Sequence, residues 1–414
     1  MRILVVSQHY WPESFRINEV ARSLLKAGCE VAVLAGQPNY PSGTTFSGYR
    51  AWGICREKHE AGYYIYRVPE IPRGSGTGWA LTLNYLSFIV GACALSPWLL
   101  RRQRFDVIFV YGSSPIFQAV PAILLKKITG ALLVTWVQDL WPQSLEVTGF
   151  VRNRHILRAV GALVRWVYRR NDLLLGQSRS FVTAIRAVAG GTPVAYHPNP
   201  GELAFVEDWP QGVPALCLDP QAFNVVFAGN MGAAQALDTI VEAAELLRQY
   251  PDVRFVMIGN GSRVRWLQEE IQRRGMTNML LPGSFPPEAM PGILTQASAL
   301  LVSLARNEAM SQTIPSKLQA YLAAGRPVIA ALDGEGARVV DESGAGVSCP
   351  AEDAASLVRA VLKIRSASLS EVAAMGSAGR SYFNSNYSPE NLAQRLIELF
   401  SRVSATRPLR RQVD

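Results

Sequence analysis

The residues Phe227-Ala228-Gly229-Asn230-Met231-Gly232-Ala233-Ala234-Gln235 read as a strand end, a turn with glycines three apart, and a helix start. Glycines there let backbone N–H groups close on an anion, and a helix start adds positive potential. A second turn, Gly259-Asn260-Gly261, follows the next apolar run but is too short for a dinucleotide fingerprint. A third element, Ile314-Pro315-Ser316-Lys317-Leu318, enters a helix that closes at Gly325-Arg326-Pro327. Pro315 and Ser316 can begin a helix and aim unpaired N–H groups outward. Lys317 then places a cation in the first turn, against the helix dipole, an arrangement that suits a bound anion. Tight turns and a solvated lysine are the bland alternatives. The three together point to a diphosphate site.

Other phosphate chemistries lack their residues. There is no GxxxxGK[ST] loop, no GxGxxG after the first strand and no Asp-x-Asp pair. The expectation is a site without metal or cofactor, with diphosphate charge met by lysine, arginine and helix termini.

Elements must hold these turns in place. The 414 residues are 49% hydrophobic and 18% charged, enough apolar material for two or three domains and too little charge for disorder. Short apolar runs at Ile3–Ser7, Val31–Leu34, Val107–Val110, Leu132–Val137 and Leu173–Leu175 alternate with helical spacing such as 15–27. The pattern repeats after residue 224, at 225–227, 255–258, 279–281, 299–302 and 328–330. Between the two series, Thr192–Asn224 carries six prolines and reads as a linker. The fold class is therefore α/β: two doubly wound, Rossmann-like domains, 1–200 and 201–386, with ligands at the strands' carboxyl ends in the interdomain cleft. Residues 387–414 are expected to form a helix returning to the first domain, started by Ser388 and Pro389, with a basic tail.

Charge divides unevenly. Residues 1–205 hold 22 Lys/Arg against 11 Asp/Glu, and residues 206–414 hold 19 against 21. The basic half seeks phosphate, and the missing nucleic-acid motifs point away from DNA and RNA. Five cysteines without a CxxC pair exclude a disulfide framework and suit a reducing compartment; the start lacks the pattern of a secretory signal.

These elements in this order resemble GT-B glycosyltransferases, specifically the large retaining family 4. The opening Ser7-Gln8-His9-Tyr10-Trp11-Pro12-Glu13 and Pro38-Asn39-Tyr40-Pro41-Ser42-Gly43 resembles the branch that builds O-antigen and capsular or colanic-acid-type polysaccharides. So do Asp139-Leu140-Trp141-Pro142, the Gly229–Gln235 turn and the Pro315-to-Pro327 block. The resemblance implies an enzyme, a hexosyltransferase whose second domain binds a nucleotide-sugar donor and whose first binds the acceptor. It implies Gly229, Asn230, Gly232, Gln235, Arg306, Ser316 and Lys317 at the donor diphosphate. Ser284, Phe285 and Gln312 would lie at base and ribose, and Asp139 and His9 near the reacting sugar. Glu13 and Arg16 would contact acceptor or phosphate. Many members carry two glutamates eight positions apart before Gly-x-Pro; here those positions are Gln312 and Ala320.

The activity implied is retaining transfer from a nucleotide-diphosphate sugar, UDP favoured and GDP possible, to a polyprenyl-diphosphate-linked saccharide. A GT-B-shaped epimerase and a non-catalytic nucleotide-sugar binder are the alternatives. Residues 74–100 carry no charge, and Arg101, Arg102 and Arg104 follow at once; within them Trp79–Leu100 is expected to be buried, interfacial or spanning. About Arg152–Arg170, six arginines accompany an apolar stripe, suiting anionic lipid. The expected location is the cytoplasmic face of the cell membrane, peripherally bound.

Overall fold

Alternation along the first strand, β1 (Arg2–Val6), assigns its residues to two cores: Ile3 and Val5 serve one face of a sheet, Leu4 and Val6 the other. A run that is apolar at every position suits a strand covered on both sides. The computed structural model describes residues 1–147, 153–201 and 216–406, and the chain forms two units: Met1–Pro198 with the segment from Pro389, and Asn199–Ser388.

The first unit is built on β1 with β2 (Glu30–Ala35), β3 (Cys55–Lys58), β4 (Tyr64–Arg67), β5 (Val107–Gly112), β6 (Leu132–Val137), β7 (Leu173–Gly176) and β8 (Val194–Tyr196). Their order is β3-β4-β2-β1-β5-β6-β7-β8, parallel except for the β3–β4 pair. β3 reads Cys-Arg-Glu-Lys and has no apolar signal; it is held by its neighbour, whose Arg67 is fully buried and reaches Glu57 at 2.6 Å. β8 corrects the linker reading. Val194–Tyr196 is a three-residue edge strand between Pro193 and Pro198, a place where a missing N–H costs no ladder bond. Residues 202–215 of that segment lie outside the described residues.

The second unit carries β9 (Phe223–Ala228), β10 (Val253–Ile258), β11 (Met279–Gly283), β12 (Ala299–Ser303), β13 (Val328–Ala331) and β14 (Gly346–Cys349), all parallel, in the order β11-β10-β9-β12-β13-β14. The same two-residue alternation splits β9: Val225 and Phe227 face one core, Val226 and Ala228 the other.

The last helix, Pro389–Thr406, belongs to the first unit. Ala393, Leu396 and Phe400 bury beside Ile17 and Leu24, and Phe400 meets Phe109 edge-on at 5.6 Å. Helix Gly78–Leu99 buries Asn84, Phe88, Ala92 and Ser96 at four-residue spacing while Leu86, Val90 and Trp98 point outward, so both of its faces are apolar. It is long and apolar enough to cross a membrane, by length and composition. Helix Arg154–Tyr168 starts from Asn153, whose side chain accepts the His155 N–H at 2.9 Å, and exposes Ile156, Leu163 and Trp166. Arg152 and the tail arginines Arg407, Arg410 and Arg411 lie outside the described residues.

Candidate functional site

β9 ends at Ala228 and the chain turns at Gly229, φ +134°. β10 ends beside it and turns at Gly259, φ +127°. A Cβ on Gly259 would stand 2.0 Å from the Gly229 carbonyl oxygen, so the two turns interlock only because Gly259 has none. Gly229 N–H donates to Ile258 O at 2.9 Å and Met231 N–H to Asn260 O at 2.7 Å. Gln235 folds back, its side-chain oxygen accepting the Gly232 N–H at 2.9 Å. Gln235 thus shapes the turn, and Gly232 does not line the cavity described below.

Helix Ser316–Ala324 starts at Pro315 without a side-chain cap. Its first turn faces the Gly229 loop. The Lys317 ammonium reaches back over the Phe227 ring, 3.7 Å from the centroid. It has no hydrogen-bond partner, and burial pushes it down to about 7. A desolvated cation of this kind is costly, and its ring contact offsets part of the cost. One turn later the Tyr321 hydroxyl accepts the Ala228 N–H at 2.7 Å and donates to Ala228 O at 3.2 Å. That pair ties the helix to the end of β9.

These elements surround a cavity of about 550 Å³. Of the residues expected to bind a donor, Gly229, Asn230, Gln235, Ser284, Phe285, Ser316 and Lys317 line it. Arg306 does not: it donates to Ala351 O at 2.8 Å and stands 3.7 Å from Asp333. Gln312 also lies off the wall; it ends the short helix Glu308–Ser311, and its neighbours Met310 and Thr313 line the cavity in its place. Ala320, the position of the second missing glutamate, lines the wall, and so do Met290, Leu294, Leu304 and Tyr321, which were not anticipated. They come in pairs from two helices, Met290–Leu294 and Ser316–Ala324, and from the end of β12, and no spacing in the sequence links the three.

In the first unit, His9 and Glu13 meet. His9 Nδ1 lies 3.1 Å from Glu13 Oε1, its ring stacks on Phe15 at 5.4 Å and 8°, and its Nε2 has no partner. Glu13 is buried and accepts backbone N–H groups from Tyr10 at 2.9 Å, Asn39 at 2.8 Å and Tyr40 at 2.6 Å. Its carboxylate is therefore held by the protein's own loops. Arg16 stands 3.8 Å from Glu19. Asp139 follows β6 in a loop and is partly exposed. Burial pushes the Tyr111 phenol up to about 12, with Arg16 pulling it down and Asp139 pushing it up, so both groups act on that ring.

A buried cluster that the sequence did not announce stands beside His9. Glu70 Oε1 accepts from Gln8 at 2.8 Å, Asn39 at 3.2 Å and Asn84 at 2.6 Å. Burial pushes the Glu70 carboxyl up to about 7, against the His9 charge and these hydrogen bonds.

Residues 14–200 match the glycosyl transferase 4-like domain, and residues 222–367 match the family described as glycosyl transferases group 1. The putative colanic acid biosynthesis glycosyl transferase WcaI of Escherichia coli K12 is 29% identical over 340 residues, 78% of this chain and 82% of that protein. Among solved structures, sucrose-phosphate synthase from Thermosynechococcus elongatus superposes with a TM-score of 0.72 at 14% identity, covering 98% of this chain and 100% of that one. Anabaena HepE in complex with UDP gives 0.68 at 13% identity, covering 97% and 100%. The structural likenesses carry the fold, which is GT-B.

Proposed function

The chain belongs to the family 4-type glycosyltransferases, and from that premise we propose that it moves a sugar from a uridine-diphosphate donor to a lipid-linked saccharide in polysaccharide biosynthesis, with retention at the anomeric carbon. The observation that carries the reading is Lys317: a buried ammonium without a hydrogen-bond partner, between the Gly229 turn and an uncapped helix start, on the wall of a cavity sized for a nucleotide. The WcaI likeness supports the polysaccharide assignment, and the UDP held by HepE supports uridine over guanosine.

In this reaction the bond between the anomeric carbon and the diphosphate oxygen breaks, and a bond to the acceptor hydroxyl oxygen forms. The departing diphosphate takes the acceptor's proton. Negative charge grows on the diphosphate in the transition state, so amide N–H groups and Lys317 placed beforehand lower the barrier there. His9 and Asp139 are proposed to act at the acceptor side; His9 Nε2 is the ring nitrogen left over once Glu13 holds Nδ1.

A polyprenyl-diphosphate acceptor lives in a bilayer. Helix Gly78–Leu99 supports membrane docking: Trp79 is 74% exposed, Val90 66% and Trp98 58%, and the Arg101 guanidinium stacks on Trp98 at 4.7 Å. Apolar residues with tryptophan and arginine at the margin are the composition of an interfacial helix. We place the enzyme on the cytoplasmic face of the cell membrane, on anionic lipid.

The deciding experiment incubates the protein with a panel of UDP- and GDP-sugars and lipid-linked acceptors. Sugar appearing on lipid, with the donor's anomeric configuration, supports the proposal. Inverted product removes retention, isomerised donor makes the protein an epimerase, and binding without turnover makes it a binding protein.

A further inference from the structure

We infer that the cavity takes 2′-deoxyribonucleoside diphosphates as readily as ribonucleoside diphosphates, so that sugars carried on a deoxynucleotide are within its donor class. This rests on the donor site proposed above and concerns what that site reads beyond the phosphates.

Lys317 and Ser316 occupy the first turn of their helix, and Ala320 stands one turn further along the same wall, about 5 Å on. The proposal sets the pentose of a diphosphate held at the first turn against Ala320. Facing that position is hydrocarbon: the Ala320 methyl with Met290 and Leu294, from a helix that packs on this one, while Met310 lines the same cavity. Thr313 donates its hydroxyl to Met310 O at 3.0 Å, and the Tyr321 hydroxyl serves both the N–H and the carbonyl of Ala228. Of the other polar side chains on this wall, Ser316 stands in the first turn with the diphosphate, and Asn230, Gln235 and Ser284 belong to the turns that follow β9 and β11. Among the described residues no carboxylate lines the cavity, and Lys317 is its charged side chain.

A vicinal diol is ordinarily selected by a carboxylate that accepts from it. A site built for such a bond rejects the analogue lacking the hydroxyl strongly, because its own acceptor is then left buried and unpaired. A hydrocarbon wall has no acceptor to strand. It gives the 2′-hydroxyl nothing and loses nothing when hydrogen replaces it.

The test is calorimetry on the full chain with two pairs, UDP with dUDP and GDP with dGDP, each supported by thermal-shift titration. The expected result, for whichever base binds, is a ribo-to-deoxy affinity ratio within about threefold of one, or favouring the deoxynucleotide. A ribonucleotide preference above about threefold overturns the inference and leaves the donor site standing. Absence of binding by every diphosphate overturns the donor site and this inference together. Ala320→Glu supplies the missing acceptor, with Ala320→Gln as a folding control of equal size. A ratio shifted by about tenfold toward the ribonucleotide in the Glu variant supports the placement of the pentose. A folded Glu variant with the wild-type ratio overturns it.

Discussion

The Lys317 ammonium stands 3.7 Å from the centroid of the Phe227 ring, and burial has drawn its pKa to about 7. The cause is desolvation alone, so a bound anion reverses it. In the proposed donor site this links proton binding to anion binding.

UDP binding at pH 8 is expected to take up close to one proton, because the diphosphate restores the ammonium that burial had disfavoured. Calorimetry in buffers of different ionisation enthalpy reads this directly. Affinity falls as pH rises above about 7, approaching tenfold per unit. Lys317→Met is expected to lose the proton uptake and about 1.5–3 kcal/mol of binding. Uptake that persists in the variant would assign the proton elsewhere.

Gly259→Ala places a methyl 2.0 Å from the Gly229 carbonyl oxygen and in a backbone region that alanine avoids. The turn after β9 must open. The expected outcome is a folded second unit by circular dichroism with nucleotide affinity lowered at least tenfold. Unchanged affinity would show that the Gly229 amides do not reach the ligand.

Glu13→Gln turns an amide N–H toward donors that now meet a carboxylate oxygen: Tyr10, Asn39 and Tyr40 N–H, or His9 Nδ1. Leaving one or two of these groups unpaired in a buried site costs about 2–4 kcal/mol. Denaturant unfolding measures it. With the amide nitrogen in the Oε1 place, the His9 ring also loses its carboxylate partner, so turnover is expected to fall further than the loss of folded protein explains.

Glu70 is fully buried, and its carboxyl titrates near 7 where an unfolded one titrates near 4.5. The folded protein therefore holds a proton that the unfolded chain releases. The stability from this group is complete below about 4.5 and is lost as pH rises through about 7, by on the order of 3 kcal/mol. Glu70→Gln keeps the volume without the charge. Its stability relative to wild type is expected to improve between pH 5 and about 7 and to level off above that; parallel pH profiles would mean that Glu70 stays ionised throughout.

Trp79→Ser with Trp98→Ser removes two exposed aromatics from helix Gly78–Leu99 without touching its buried side. Sedimentation with vesicles of anionic and neutral phospholipid is expected to show wild-type binding to the anionic ones, reduced at least fivefold in the double variant. Equal and negligible wild-type binding to both compositions would sink the membrane reading.

Most strands of both sheets can be read from apolar runs because those strands are covered on both faces, and burial of that kind leaves continuous hydrophobic sequence. The Gly229 turn and the Pro315 helix start are equally legible, since glycine and proline act through their own backbones. Side-chain destinations are harder. Arg306 follows a strand as Gly229 does, yet Asp333 and the Ala351 carbonyl, from distant loops, draw it away from the cavity. Lys317 is visible as a cation in a first turn; its burial depends on Phe227, ninety positions earlier. β3 is illegible because Cys-Arg-Glu-Lys pairs through its backbone and through Arg67, with no apolar pattern to betray it.

Helix Pro389–Thr406 completes the core that β1 begins. On the ribosome, that core must wait for residues translated after the whole second unit has emerged. Ile17, Leu24 and Phe109 remain uncovered until Leu396 and Phe400 arrive, so the portion synthesised first matures last. A nascent chain stalled short of Pro389 presents an open hydrophobic seam to chaperones and proteases, and a tag or deletion near residue 400 strikes the amino-terminal half of the protein.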